Sequence, residues 1–578
     1  MPSLFDHSIR RNNVFAAALD TLPRIRFTAH SAIWCIVVVF ILAGLTGHGP
    51  WKADEAYVFG MIHSMPRSGD WIVPTLAGEP FMEKPPLYYW VAAGFSWLLS
   101  GWLGEPDSAR MASGFFMLVA SIALMKAARQ WWGDSAGRHA PLLLIACLGT
   151  LTQTHMMMPD VALLAGFALS AWGFSRIGAR AAYGGIWLGT GAGMAFLSKG
   201  VFGPGVIAVT ALLLPACFAQ WRSRAYLREL GCAFLASLPW LFIWPLALHV
   251  RSPLLFMEWF WENNLGRFFG FSVMVTGTEQ PAMFWPTMLP WFTFPALPLA
   301  LYTLWKKRAT ALTHPAMQYG LVASATMVLV LLASSAARVI YALPLLLSLS
   351  ILAVPGAMLL PRAIERAWLI LSALLFGTAS AFLWGVWGLM MLRKAPPDWP
   401  WLLRLLPADF IPTFDSAAVA LAAALTIGAF HLWKRLAPMP ARGLAGWTLG
   451  LALSWSLLST LWMPWLDYAK SYRSVFEAMP VPEETDCMSS LGLGESERAM
   501  LDYYAGQITI RHEVRPAEAA LCDTFLMQGY APTGTAHIDL RDWEQVWDGA
   551  RPGDTWQRFW MFRRRSDAQG LYSLGLMQ

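Results

Sequence analysis

The fold class that the sequence predicts is a polytopic α-helical membrane protein with a small soluble α/β domain at its C-terminal end. Three observations predict it. Of the 578 residues, 56% are hydrophobic and only 13% charged. Apolar runs of bilayer-spanning length recur from residue 29 to residue 463, and the remaining stretch returns to soluble composition. A soluble protein carries roughly 25% charged residues, and the 32 tryptophans suit aromatic belts at two membrane interfaces. The formal net charge is +6, yet no basic low-complexity tail is present, which argues against nucleic-acid binding.

Taken in order, the first apolar run, His30 to Leu45, follows Arg10, Arg11, Arg24 and Arg26. No small-residue cleavage site follows it, so it reads as a retained first helix and not as a removed signal peptide. Runs of about 17–25 apolar residues can cross a bilayer as helices. About thirteen are expected, at 29–47, 108–127, 139–157, 161–176, 184–198, 201–219, 229–249, 284–305, 317–334, 340–359, 367–391, 413–433 and 444–463. One set of connecting loops is short and basic, with Lys126/Arg129/Arg138, Arg222/Arg224/Arg228, Lys306/Lys307/Arg308 and Lys434/Arg435/Arg442. That is the positive-inside pattern, and an odd number of crossings then places the C-terminus outside. Residues 1–463 form the expected membrane domain, with a long first outer loop at 48–107. Residues 464–578 form the expected α/β domain, with a helix from Leu493 to Tyr504 and strands at Ile508–Ile510 and Trp556–Phe562.

Cys35, Cys147, Cys217 and Cys232 lie in or beside apolar runs and read as small core residues. Cys487 and Cys522 are the two cysteines of the C-terminal domain, and an oxidising compartment would let them pair. No CxxC or Cys/His spacing is present, so no structural zinc site is expected.

The acidic residues and the Asn/Glu/Arg/Tyr groupings collect in the outer loops. Asp54-Glu55 follows the first apolar run. An acidic pair there either favours the start of the next helix or supplies a carboxylate that takes a proton from an acceptor group or stabilises positive charge at a reacting sugar carbon. In Glu83-Lys84-Pro85-Pro86 the double proline excludes a helix interior and sets the chain direction. The aromatic run Leu87 to Leu99 then suits a helix at the interface. Lys84 would stand at the level of a lipid phosphate, which it can bind as a point charge; snorkelling accounts for a lysine but not for the glutamate and prolines. Asp160 either partners a helix dipole or lines a site. Lys199 lies at an outer helix end, where positive charge is disfavoured, and so points to an anionic partner. Glu262-Asn263-Asn264 with Arg267, and Arg338 with Tyr341, complete the outer set, the two arginines being able to clamp a phosphate. The Gly189-Thr190-Gly191-Ala192-Gly193 run has no preceding strand and reads as close helix packing, not as a dinucleotide motif.

These residues resemble a known family. Asp54-Glu55, Ser68-Gly69-Asp70-Trp71-Ile72-Val73-Pro74, Glu83-Lys84-Pro85-Pro86-Leu87, Ala195-Phe196-Leu197-Ser198-Lys199-Gly200 and Arg338-Val339-Ile340-Tyr341-Ala342-Leu343-Pro344 are similar to motifs of GT-C class membrane glycosyltransferases. The bacterial aminoarabinose (lipid A) transferases, related to protein O-mannosyltransferases, match best, over roughly residues 30–350. The resemblance implies a GT-C fold and transfer of a sugar from a polyprenyl-phosphate donor to lipid A or another envelope glycan or protein acceptor. It implies no organic cofactor and leaves a divalent metal open. The expected setting is the bacterial inner membrane, with active site and C-terminus periplasmic and the chain a monomer among membrane lipids. It implies Asp54, with Glu55 and Asp160, as catalytic residues; Lys84, Glu83, Lys199, Arg267, Arg338 and Tyr341 would hold the donor's lipid phosphate. Two departures bear on the sugar: Ala56-Tyr57-Val58 stands where the family carries an arginine and a tyrosine, and Asn263-Asn264 where it carries Glu-His. The alternative is a transporter or flippase of lipid-linked sugars, which would show an internal repeat and midplane charges; neither is legible.

Overall fold

The computed structural model describes residues 29–272, 281–335, 337–436, 439–480, 487–530, 540–554 and 556–565. Arg10, Arg11, Arg24 and Arg26 lie outside the described residues. Among those described, seven helices are long and apolar enough to cross a membrane: Glu105–Trp132, Pro159–Gly178, Arg224–Arg251, Pro315–Ala333, Arg362–Arg393, Ser416–Leu436 and Arg442–Lys470. His30–Leu42, Leu87–Leu99, Phe202–Cys217 and Leu345–Leu359 are shorter apolar helices. The chain is a multi-pass membrane protein. Arg224–Arg251, Arg362–Arg393 and Ser416–Leu436 bury little of their length inside the protein. They turn residues such as Leu246, Leu374 and Phe430 outward, as a lipid-facing helix does.

Small residues bring the inner helices together. Gly189 lies against the backbone of Ala233, Gly191 against Gly166 and Gly193 against the ring of Trp240. The glycine run thus lets the Gly184–Lys199 helix nest between Pro159–Gly178 and Arg224–Arg251. Several expected spans are not single helices. Residues 139–157 divide at the extended Cys147 into Ala140–Ala146 and Leu148–Gln153. Residues 284–305 divide between Pro281–Phe292 and Ala296–Lys306. Residues 340–359 open on a 3-10 turn, Val339–Ala342, before Leu345–Leu359. Pro295 and Pro344 lack the N–H that a continuous helix would need, and each instead starts the helix that follows. Of the four membrane-region cysteines only Cys147 is buried; Cys35 and Cys217 are exposed on outward helix faces, where an apolar solvent makes a core unnecessary.

The first loop is itself folded. It holds a helix, Ala53–Ser68, a tight hairpin of β1 (Thr75–Leu76) and β2 (Glu79–Pro80), and the Leu87–Leu99 helix. Asp54 and Glu55 occupy the first turn of Ala53–Ser68, where the helix dipole favours negative charge. The helix ends at Gly69 (φ 70°), whose N–H returns to Met65 O at 3.0 Å. Residues 55–62 of this helix are all buried.

What buries them on the outer side is the C-terminal domain. Its five strands are β3 (Met488–Leu491), β4 (Thr509–Arg511), β5 (Thr524–Tyr530), β6 (Trp543–Gly549) and β7 (Gln557–Arg564), in the order β4-β3-β5-β7-β6. β3 runs parallel to β4 and β5, while β7 runs antiparallel to β5 and β6. The Glu495–Ala505 helix crosses from β3 to β4 and lies along Ala53–Ser68. Ser496 Oγ donates to Ala53 O at 2.9 Å, and Tyr503 meets Phe59 edge-on at 4.8 Å. A disulfide joins Cys487, before β3, to Cys522, before β5. A Cβ at Gly60 would come within 2.6 Å of Ala499 Cβ and 2.8 Å of Leu76 Cδ1. Gly60→Val is therefore expected to cost about 1–3 kcal/mol by overpacking and to loosen the C-terminal domain. Limited proteolysis should cleave residues 488–564 sooner than in the parent protein.

Candidate active site

The outer ends of several membrane helices and the folded first loop bring the singled-out charges together. One turn of α-helix is 3.6 residues, so adjacent side chains diverge by about 100°. Asp54 and Glu55 consequently face different ways. Asp54 turns toward Arg338, whose Nη2 donates to Oδ1 at 3.0 Å and to Oδ2 at 2.9 Å. Tyr57, three residues on and on the same face, accepts a hydrogen bond from Lys84 Nζ at 3.1 Å. Lys84 stands 4.0 Å from Glu83 Oε1, and Glu83 pairs with Arg267. Deeper in, Lys199 pairs with Asp160, and its ammonium lies 3.8 Å from the centre of the Tyr341 ring.

Local backbone features aim each group. Pro159 occupies the first turn of its helix after the extended Met158, so Asp160 opens that helix. Lys199 closes the Gly184–Lys199 helix, and Gly200 (φ 66°) reverses the chain with the Asn264 side chain in the space a Cβ would need. Asn264 issues from a π-helical stretch, Glu258–Gly266, and Arg267 directly follows it; the wider turn of such a stretch is a common feature of functional sites. Asn264 Nδ2 donates to Trp259 O at 2.9 Å, and Ser335 Oγ donates to Arg267 O at 2.9 Å, tying this stretch to the loop that carries Arg338.

Burial alone would push the Glu83 carboxyl up, but Lys84 and Arg267 override it and hold it at about 2. For Lys84 burial disfavours the ammonium, and Glu83, then Asp160 and Asp54, keep it above its ordinary value. Both groups are therefore charged at neutral pH. Asp54 keeps 29% of its side chain accessible, against 10% for Glu83 and 1% each for Glu55 and Asp160. It is the carboxylate of the set that an incoming molecule can reach. Beside the cations opens a cavity of about 290 Å³ lined by Val201, Phe202, Phe268, Phe269 and Leu331, with Lys199, Arg267 and Tyr341 also on its wall. Among the described residues, Asp160 Oδ2 and Tyr89 Oη are buried with no hydrogen-bond partner.

Asp54, Glu83, Lys84, Asp160, Lys199, Arg267, Arg338 and Tyr341 thus converge, and Glu55 does not join them. Glu55, expected beside Asp54 in the catalytic set, is instead buried and turned to other partners. Glu55 Oε1 accepts from Arg110 Nε at 2.8 Å and from the Met157 N–H at 3.3 Å. Arg110, itself buried, also reaches Asp107 at 2.9 Å, Leu45 O at 3.0 Å and His48 O at 3.3 Å. This is a structural lock. Cys487 and Cys522 sit in the sheet domain, away from the charges. Sequence reasoning missed Tyr57, Tyr89 and Arg110. The three-residue spacing of Tyr57 from Asp54, close to one helical turn, was the available signal for the first; an arginine inside the apolar Glu105–Trp132 run was that for the last.

Residues 83–244 match the family described as dolichyl-phosphate-mannose-protein mannosyltransferase. An undecaprenyl phosphate-alpha-4-amino-4-deoxy-L-arabinose arabinosyl transferase of Pseudomonas aeruginosa is 29% identical over 294 residues, 48% of this chain and 52% of that protein. A second so named, from Sodalis glossinidius, is 26% identical over 296 residues, 48% of this chain and 51% of that protein. The chain spans about half the length of these curated relatives. The crystal structure of ArnT from Cupriavidus metallidurans bound to undecaprenyl phosphate aligns with a TM-score of 0.66 at 18% identity, over 92% of this chain and 98% of that one. The chain has the GT-C fold of that structure.

Removing one partner of a buried ion pair strands the other charge. Arg110→Leu is expected to cost about 3–5 kcal/mol, read as a lowered melting temperature in detergent. The double variant Glu55→Leu/Arg110→Leu should recover much of that loss.

Proposed function

We propose that the chain is a GT-C glycosyltransferase that moves a sugar from a polyprenyl-phosphate carrier to an envelope acceptor such as lipid A, at the periplasmic face of the bacterial inner membrane. The observation that carries this reading is an accessible carboxylate, Asp54, paired with Arg338 in a charge cluster whose Lys199 and Arg267 line an apolar cavity. An isoprenoid phosphate has the matching form: an apolar tail and an anionic head. The relatives' names, which specify an undecaprenyl-phosphate-linked sugar, and the phosphate-bound ArnT of the same fold support the reading.

In the proposed step an acceptor oxygen attacks the anomeric carbon as the bond from that carbon to the phosphate oxygen breaks. The electron pair leaves with the polyprenyl phosphate. Lys84, Lys199 and Arg267 stabilise the charge that develops there, a preorganised effect strongest away from water. Asp54, paired with Arg338, takes the acceptor's proton or orients the attacking oxygen. A single displacement inverts the anomeric centre and forms no covalent enzyme intermediate. Asp160 holds Lys199, and Glu83 holds Lys84 and Arg267, in place. The step is metal-independent in this reading, the cations being side chains. Asn263 and Asn264 line the cavity beside Lys199 and Arg267, so they are placed to influence which sugar is accepted.

Asp54→Asn is expected to abolish transfer, with expression and membrane insertion unchanged, when the purified protein is reconstituted with a polyprenyl-phosphate sugar and lipid A. Full transfer by that variant would refute the catalytic assignment. Lys84→Ala should weaken use of the donor by about tenfold or more, the loss of one charge-assisted hydrogen bond. Unchanged affinity for polyprenyl phosphate would remove its phosphate role. Mass spectrometry of envelope glycolipids and glycoproteins from cells with and without the protein identifies the sugar and the acceptor. A flippase would leave the sugar on its carrier in both assays.

A further inference from the structure

Four residues before Glu83, the Glu79 carboxylate faces three arginines of the C-terminal domain. Arg498 Nη2 donates to Glu79 Oε2 at 2.7 Å, Arg511 Nη1 stands 3.5 Å from the same oxygen, and Arg515 Nη2 is 3.7 Å from Oε1. Arg498 is only 4% exposed, and its charge is met in the interior by this carboxylate. Glu79 starts β2, across a two-residue turn in which Ala77 (φ 46°) and Gly78 (φ 80°) both take the left-handed conformation of a tight hairpin. The strand is continued by Phe81, whose N–H donates to Pro74 O at 2.8 Å. Phe81 then packs its ring 5.6 Å from that of Tyr57, the residue that accepts the Lys84 hydrogen bond. The chain from Glu79 to Lys84 is thus short and is held at Phe81 and at the buried Met82.

We infer that Glu79 is a positioning residue through which the C-terminal domain sets the place of Glu83 and Lys84. The inference rests on the reading of Lys84 as a phosphate-binding group. Without the carboxylate the three arginines repel one another, and the hairpin loses its outer anchor. Lys84 would then shift relative to Lys199, which closes the Gly184–Lys199 helix and does not move with the hairpin. Misplacing one of several cations by about 1 Å weakens their joint hold on a phosphate by one to two orders of magnitude.

The test uses the full-length protein in detergent, hydrogen exchange of the amides at residues 81–84, and titration with undecaprenyl phosphate. Glu79→Gln should speed exchange at 81–84 by about tenfold and weaken undecaprenyl-phosphate binding by about tenfold, with β3 and β5 exchanging as before. Glu79→Asp should restore most of both. Unchanged exchange at 81–84 in Glu79→Gln overturns the inference, as does faster exchange there with unchanged affinity. If β3 and β5 also loosen, the decision passes to Arg511→Gln/Arg515→Gln, which removes the two more exposed partners and leaves Arg498 paired. A smaller rise at 81–84 with weaker binding then supports the inference, and no rise overturns it. If the parent protein itself fails to bind undecaprenyl phosphate, the proposed function falls, while the exchange measurement still reports on the loop.

Discussion

The buried ion pair of Glu55 and Arg110 holds the first-loop helix against the membrane helices, and the geometry of the outer face follows from it. Neither partner is accessible to water, and each would be costly alone. Asp107, two backbone carbonyls and the Met157 N–H complete the set, so the charges are compensated where they are buried. With Glu55 held inward, the helix has one rotational setting. That setting turns Asp54 and Tyr57 toward Arg338 and Lys84.

The charge pattern of the site follows from the same constraint. Lys84, Lys199, Arg267 and Arg338 face Asp54, Glu83 and Asp160, so cations outnumber carboxylates. Each carboxylate is engaged with at least one cation, which keeps the cluster tolerable at a protein–lipid boundary. The surplus positive charge suits an anionic ligand whose tail occupies the adjacent apolar cavity. The sheet domain belongs to this arrangement. Its Glu495–Ala505 helix buries the outer side of Ala53–Ser68, and its arginines gather on Glu79.

Much of this was legible beforehand. The apolar runs marked the membrane helices because a chain in lipid must satisfy its backbone internally and keep charges rare. The same scarcity marked Asp54, Lys84, Lys199, Arg267 and Arg338 as worth attention. Helix interruptions at Cys147 and Pro295 were harder to see, since hydropathy is indifferent to a break that neighbouring helices cover. The tail was legible as α/β, with its helix and two of its strands within a few residues, but β3, β5 and β6 were not singled out.

The sequence by itself determined the class of solvent, the count of costly charges and their grouping in one set of loops, because composition and local spacing carry those. Only the tertiary structure decided which charge pairs with which. Asp54 and Glu55 are neighbours in the chain with the same chemistry, and they part because a helix turns by about 100° per residue and because Arg110, fifty-five residues from Glu55, claims one of them. Glu79 was an unremarked residue of a loop until three arginines more than four hundred positions away were folded onto it. Such pairings depend on long-range packing, which no local pattern encodes.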